Sequence, residues 1–207
     1  MSGHSIGTVE AELAASSVMH ELASYRLRRK SESRRRIGRM SLLRTGSGSL
    51  PLEYSAIVTT ISIAEGFFAA TLQTRVEDAF DTTTQLMLDA QRDASRTMDS
   101  NWDDRLKRAR RWFGIDSTSE QSVIEMLAFV EARNSIVHGV GRLTRRQMSD
   151  GGAKVTTQLT SVGVPVVGGA LRLDEVAANR CARQCAEAIR WLDVSNLLAA
   201  AIPAGNG

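Results

Sequence analysis

The chain has 207 residues, of which 43% are hydrophobic, 5% are aromatic and three are prolines. This length supports one well-buried domain, with or without an appendage, and is too short for three, while the composition favours a mostly helical globular protein. No apolar stretch reaches the roughly 20 residues of a membrane helix and no signal-peptide pattern begins the chain, so we expect a soluble, cytoplasmic protein with no membrane partner.

The small net charge of +3 conceals a strongly basic segment. Residues 26–39, called the basic tract below, contain eight basic residues and one acid, which leaves −4 for the rest of the chain. Two smaller basic clusters occupy residues 105–111 and 142–146. Such clusters attract polyanions, although solvated helix faces and contacts with an acidic partner protein are alternatives. The candidate nucleic-acid contacts are Arg26, Arg28, Arg29, Lys30, Arg34, Arg35, Arg36, Arg108, Arg111 and Arg142.

The first predicted element is a helix over residues 7–30 that leads into the basic tract. Its apolar residues have a loose helical spacing, so we expect this helix to stand apart from the core. These residues are Leu13, Val18, Leu22 and Leu27. A flexible break rich in glycine and serine over residues 45–51 then divides the chain into an N-terminal helix with the basic tract, 1–45, and a main helical domain, 52–201.

A long, largely buried helix over residues 52–80 is predicted to open the main domain. Gly66 lies inside this helix, where glycine costs roughly 1 kcal/mol relative to alanine. Its presence therefore predicts the close approach of another helix. A further helix is expected over residues 84–97, and a shorter basic one from Asn101 to near Gly114.

The last third of the chain is predicted to contain two more helices around a hairpin. The first should run over residues 119–138, with Gly139 and Gly141 at its exit. Two β-branched runs, 154–160 and 164–167, predict a hairpin, and residues 171–201 return to helix. The expected fold class is therefore all-α, a helical bundle with a short β-hairpin insertion before the last helix.

Cys181 and Cys185 are four residues apart on a helical pattern. Two thiols without further cysteine or histidine nearby make an incomplete zinc site, so reduced and packed cysteines are the preferred interpretation. We expect no metal and no cofactor.

The most specific chemical signal is Arg133-Asn134 followed by three spacers and His138, at the predicted end of a helix. Arginine is a permanent planar cation that matches phosphate oxygens, and histidine exchanges protons near neutral pH. Together they suit cleavage of a phosphodiester without a metal ion. Alternatively, the arginine and the histidine complement the helix dipole and Asn134 is a buried hydrogen-bonding side chain.

This pattern resembles the HEPN superfamily of all-α domains, in which a helix near the end of the chain carries arginine, a polar residue, a short spacer and histidine. The resemblance covers residues 52–198 and leaves the basic tract unexplained. It implies a homodimer whose two motifs face each other, and a metal-independent endoribonuclease of a toxin or antiphage defence system, with an antitoxin or another defence protein as a possible partner. The alternatives are a catalytically silent module that binds RNA or a partner protein, and a purely structural helical dimer.

The resemblance also assigns roles to individual residues. His138 and Arg133 would be catalytic, and Asn134 would orient His138 or bind a phosphate oxygen. Glu65, in the long helix that precedes the motif, could tether Arg133. The three tryptophans, Trp102, Trp112 and Trp191, lie in helical patterns, which favours packing over base stacking.

Overall fold

Eight helices and one antiparallel pair of two-residue strands make up the described part of the chain. The computed structural model describes residues 7–38, 51–80, 84–98, 101–149 and 152–201, with the side chains of these residues except 33–38, 97, 98, 200 and 201. In chain order the elements are α1 (Val9–Gly38), α2 (Leu52–Ala79), α3 (Gln85–Met98), α4 (Trp102–Phe113), α5 (Gln121–Gly139), α6 (Arg145–Ser149), α7 (Gly152–Ser161), β1 (Val166–Val167), β2 (Ala170–Leu171) and α8 (Glu175–Ala201). The predicted all-α fold with a short hairpin before the last helix is confirmed.

Helix α2 lies at the centre of the fold, in contact with α1, α3, α5 and α8. Its inward face buries large apolar side chains such as Ile57, Ile61 and Phe68, and burial of each stabilises the fold by about 1.5–3 kcal/mol. By length and composition α2 could cross a membrane, but the core helix of a soluble protein passes the same test. Its packing among four other helices is that of a core helix.

Helix α1 runs antiparallel along α8, so the expectation that it stands apart from the core is wrong. The apolar stripe was misassigned, because Leu13 and Leu27 are 62% and 70% exposed. Two of the five residues in the buried stripe are alanines, which a search for large apolar side chains does not select. The stripe comprises Ala11, Ala15, Val18, Leu22 and Tyr25, whose three- and four-residue spacing keeps them on one helix face.

The hairpin lies further along the chain than predicted. Residues 154–160, expected as its first strand, belong to helix α7, whose buried Leu159 packs in the core. Tertiary packing here overrides the β-propensity of the valine and threonines. The strands β1 and β2 are instead joined by Gly168 and Gly169, whose φ angles of +57° and +78° suit a tight turn between antiparallel strands.

Gly66 does not mark a close approach between helices. This residue is exposed on α2, and a Cβ atom built there would meet no other atom within 4 Å among the described residues. The prediction that another helix of the same chain approaches α2 closely at Gly66 is therefore wrong for the described residues.

Helices α5 and α8 are joined by an ion pair that should contribute strongly to stability. Arg180 donates from Nε and Nη2 to the two carboxylate oxygens of Glu125, at 2.7 and 2.8 Å, and only 7% of Glu125 is exposed. The hydrogen bonds from Arg180 lower the pKa of Glu125 below its ordinary value. Because this pKa is lower in the folded state than in the unfolded state, the contribution is present above the unfolded pKa and disappears as the pH falls through the folded one.

We expect Glu125→Ala to lower the free energy of unfolding at pH 7 by about 2–3 kcal/mol, because it leaves Arg180 without its partner; partial exposure of the arginine keeps the loss below that of a fully buried pair. Chemical denaturation measures this difference, which should narrow as the pH falls below the folded pKa of Glu125. Glu12→Ala is the matched control, since its pair with Arg190 has both side chains nearly half exposed. An equal loss in both variants would contradict the assigned importance of the buried pair.

Candidate functional site

The motif occupies the last two turns of α5, and the chain leaves this helix through two residues in the left-handed conformation. Val140 has a φ of +51° and Gly141 has a φ of +80°. The Val140 amide and the Gly141 amide both donate to the Ser135 carbonyl, the second at 3.0 Å, and these hydrogen bonds close the end of the helix. The position of His138 is thus set by a defined helix end.

Gly141 is also required by the aromatic ring of Tyr54. A Cβ atom at this glycine would lie 2.3 Å from the Tyr54 hydroxyl and 2.6 Å from a ring carbon, distances that no real contact tolerates. The start of α2 and the end of α5 therefore meet here, next to the motif.

Gly141→Ala should destabilise the protein by about 3 kcal/mol, because it combines left-handed backbone strain with this steric overlap. Gly163→Ala isolates the first effect, since Gly163 has a similar φ of +82° and no atom within 4 Å of its built Cβ. Thermal and chemical denaturation of both variants measure the difference. Equal losses would mean that Tyr54 moves aside without cost.

Arg133 is held in place by Glu65 and Asn134. The Arg133 guanidinium forms an ion pair with the Glu65 carboxylate through Nη2, and its Nη1 donates to the Asn134 side-chain oxygen at 3.0 Å. The structure therefore contains the contact expected between Glu65 and Arg133. An arginine side chain carries five N–H bonds, and among the described residues these two contacts engage two of them.

The second oxygen of the Glu65 carboxylate accepts a hydrogen bond from Trp102. The distance from the indole Nε1 to Glu65 Oε1 is 3.0 Å. Trp102 opens α4 directly after Asn101, which caps that helix by accepting from the Asp104 amide. Sequence patterns did not indicate this contact, because 37 residues separate its partners.

His138 is exposed, in contrast to the half-buried Arg133 and Asn134. Among the residues that the structure describes, no hydrogen bond or ion pair engages the imidazole. An accessible imidazole without other partners can accept a proton from a bound molecule or donate a proton to it.

All three motif side chains line one open cleft with a volume of about 730 Å³. The cleft lies between α2, α4, α5, α6 and α7. Its cationic side chains are Arg105, Arg133, Arg146 and Lys154, and its acidic ones are Glu65, Asp103 and Glu131. Two of the three carboxylates are engaged by other side chains, Glu65 by Arg133 and Glu131 by Gln147. The arrangement suits an anionic ligand with hydrogen-bonding groups.

Buried Gln147 fixes the junction between α5 and α6. Its Nε2 donates to the Glu131 carboxylate at 2.7 Å, and its Oε1 accepts from the Ser135 hydroxyl and the Thr144 amide, both at 2.9 Å. Lys154 and Gln147 were missed at the sequence level, because residues 154–160 were assigned to a strand and a lone glutamine carries no local signal.

Most of the predicted nucleic-acid contacts lie elsewhere on the molecule. In the basic tract, Arg26 donates to Asn179, Arg28 pairs with Glu21, and Arg29 pairs with Glu175 at 2.8 Å. Arg26 and Arg29 therefore hold α1 against α8, and Arg28 forms an ion pair within α1. Lys30 is exposed, whereas the side chains of Arg34, Arg35 and Arg36 lie outside the described residues.

The remaining predicted contacts also lie outside the cleft. Arg108 and Arg111 line a separate cavity of about 750 Å³ between α2, α3 and α4, and Arg108 lies over the Trp112 ring at 5.1 Å. Arg142 donates to the Gly168 carbonyl at 2.7 Å and so holds the hairpin. The structure thus brings the three motif residues and Glu65 together, with Arg105 and Arg146 of the two smaller basic clusters. None of the candidate nucleic-acid contacts whose side chains are described lines this cleft.

Both cysteines are buried free thiols in α8. Burial raises the pKa of the Cys181 thiol well above its ordinary value, which disfavours the thiolate that metal binding requires. Within the described ranges, no three histidine, cysteine, aspartate or glutamate side chains are grouped so that they could hold a metal ion.

Comparisons with models of protein families, with curated proteins and with solved structures find no match to this chain. The resemblance to the HEPN superfamily therefore rests on the motif and its surroundings.

Proposed function

We propose that the protein is a metal-independent endoribonuclease of the HEPN type, with a composite site formed by two copies of the chain. The observation that carries the proposal is the cleft in which Arg133, Asn134 and His138 meet, with Glu65 holding the arginine. This arrangement combines a positioned cation with an accessible proton-transfer group, which are the two elements that cleavage of a phosphodiester needs.

In the proposed reaction one His138 removes the proton from a ribose 2′-hydroxyl. The 2′-oxygen attacks the adjacent phosphorus, and the bond from phosphorus to the 5′-oxygen breaks. His138 of the second copy gives a proton to that departing oxygen. The products are a 2′,3′-cyclic phosphate and a 5′-hydroxyl, and a two-fold axis supplies both proton-transfer groups from one sequence motif.

Arg133 would stabilise the charge that develops on the phosphate oxygens during the attack. Three of its N–H bonds have no partner among the described residues and would bind the phosphate oxygens, since charge-assisted hydrogen bonds to phosphate are among the strongest in proteins. Asn134 would keep Arg133 oriented through the 3.0 Å hydrogen bond and offer its amide N–H groups to a phosphate oxygen.

Exposed apolar side chains close to the motif in the sequence support the proposal that a second copy of the chain binds here. Val137 and Val140 flank His138 in the sequence and are 50% and 77% exposed, and Met148 on α6 is 57% exposed. Exposed apolar side chains that form a continuous patch are typical of protein contact surfaces. A toxin or antiphage role in the cytoplasm, with an antitoxin or other defence protein as partner, belongs to the same proposal.

The proposal is tested by incubating the purified protein with an RNA oligonucleotide and its DNA counterpart in excess EDTA. We expect cleavage of RNA and none of DNA, because attack requires the 2′-hydroxyl. A 2′-O-methyl group at the cleaved position should protect that linkage. Salt-sensitive RNA binding without cleavage would favour the silent binding module instead.

A further inference from the structure

The Trp102 side chain packs in the fold and also donates a hydrogen bond to Glu65, the residue that holds Arg133. Its indole ring is fixed from two sides, by an edge contact with Phe68 at 5.2 Å between ring centroids and by the Arg105 guanidinium 4.8 Å above the ring. These contacts direct the indole N–H to Glu65 Oε1 at 3.0 Å. The other oxygen of the same carboxylate pairs with Arg133.

The occupied Oε1 limits how Glu65 pairs with Arg133. Carboxylate and guanidinium groups tend to form two parallel hydrogen bonds when both oxygens are free. A second bond of this kind would withdraw another Arg133 N–H from the cleft. The Trp102 hydrogen bond occupies one lone pair of Oε1 and fixes the orientation of the carboxylate, and in the structure Glu65 contacts Arg133 through the other oxygen, Oε2.

We infer that Trp102 is a positioning residue, which acts through Glu65 to keep Arg133 available for the scissile phosphate. This inference rests on the proposed function and deepens it, since it places α4 in the control of the catalytic cation. Trp102 itself transfers no proton and forms no bond in the reaction.

Trp102→Phe separates the hydrogen bond from the packing. Phenylalanine keeps an aromatic ring against Phe68 and Arg105 but lacks the N–H. Trp112→Phe is the matched control, because Trp112 lies on the same helix, also carries an arginine over its ring, and lines the other cavity. A merely structural role of indole rings in α4 would affect both variants alike.

We expect Trp102→Phe to lower kcat/KM for RNA about tenfold, the effect of one hydrogen bond of roughly 1.4 kcal/mol, while Trp112→Phe stays within about twofold of the wild type. In the Glu65→Ala background the same substitution should cause no further loss, because its effect passes through the carboxylate. Unchanged cleavage by Trp102→Phe, or losses that multiply in the double variant, would overturn the inference.

A second readout does not depend on cleavage. In ¹⁵N-labelled protein, the indole N–H resonance of Trp102 should shift in Glu65→Ala, while those of Trp112 and Trp191 stay in place. An unmoved Trp102 resonance would also overturn the inference. A wild-type protein that cleaves no RNA contradicts the proposed function, whereas cleavage that is indifferent to Trp102→Phe contradicts the positioning role alone.

Discussion

His138→Ala is expected to lower the rate of RNA cleavage by about 10³-fold, because each composite site loses both its proton acceptor and its proton donor. The melting temperature and the proposed dimer should be unchanged, since the imidazole is exposed and, in the described part of the chain, makes no hydrogen bond or ion pair. Single-turnover cleavage assays and thermal denaturation measure the two quantities on the same preparations.

His20→Ala is the control for this substitution, because His20 is an exposed histidine on α1 outside the cleft. It should cleave RNA at the wild-type rate. A loss of stability in His138→Ala without an effect on RNA would indicate the purely structural dimer. Cleavage by His138→Ala at the wild-type rate would mean that the histidine was assigned wrongly.

Arg133→Ala should lower kcat by about 10²- to 10³-fold, the range found when one preorganised donor to developing negative charge is removed. Arg133→Lys should recover only part of the activity, because an ammonium group keeps the charge but cannot pair with Glu65, Asn134 and a phosphate in one plane. Glu65→Ala should cost less, about tenfold, because the cation remains and only its orientation is lost.

Steady-state kinetics on a single RNA substrate rank these variants. Arg145→Ala controls for the general loss of positive charge, since Arg145 is exposed and outside the cleft. If Arg145→Ala lost as much activity as Arg133→Ala, the arginine of the motif would act only through long-range attraction of the RNA. An equal loss of activity in Arg133→Ala and Glu65→Ala would instead mean that the ion pair between these residues stabilises the fold and that Arg133 has no separate role in catalysis.

Helix boundaries could be predicted from the sequence where local signals are strong. Glycine and capping residues mark the ends of α4 and α5, and the predicted and observed limits of α2 agree within one residue. The contact between Glu65 and Arg133 was also anticipated, but through the family resemblance rather than through spacing. Their separation of 68 residues leaves no local pattern.

Features that depend on tertiary packing could not be predicted from the sequence. Helix α7 carries β-branched residues that local propensity assigns to a strand, whereas in the fold its Leu159 is buried and its Val155 packs against the core. The misassignment removed Lys154 from consideration. The density of arginines in the basic tract indicates attraction to a polyanion, with an acidic partner or a solvated helix face as alternatives, yet Arg29 pairs with Glu175 at the other end of the chain. Charge patterning shows that cations are present but not which of them are already paired.

Identification of the RNA ends that the wild-type protein leaves in excess EDTA tests the proposed function most directly, with His138→Ala purified in parallel as the blank. We expect 2′,3′-cyclic phosphate and 5′-hydroxyl termini from the wild type only. Products that end in a 3′-hydroxyl and a 5′-phosphate, or the same products from both proteins, would contradict it.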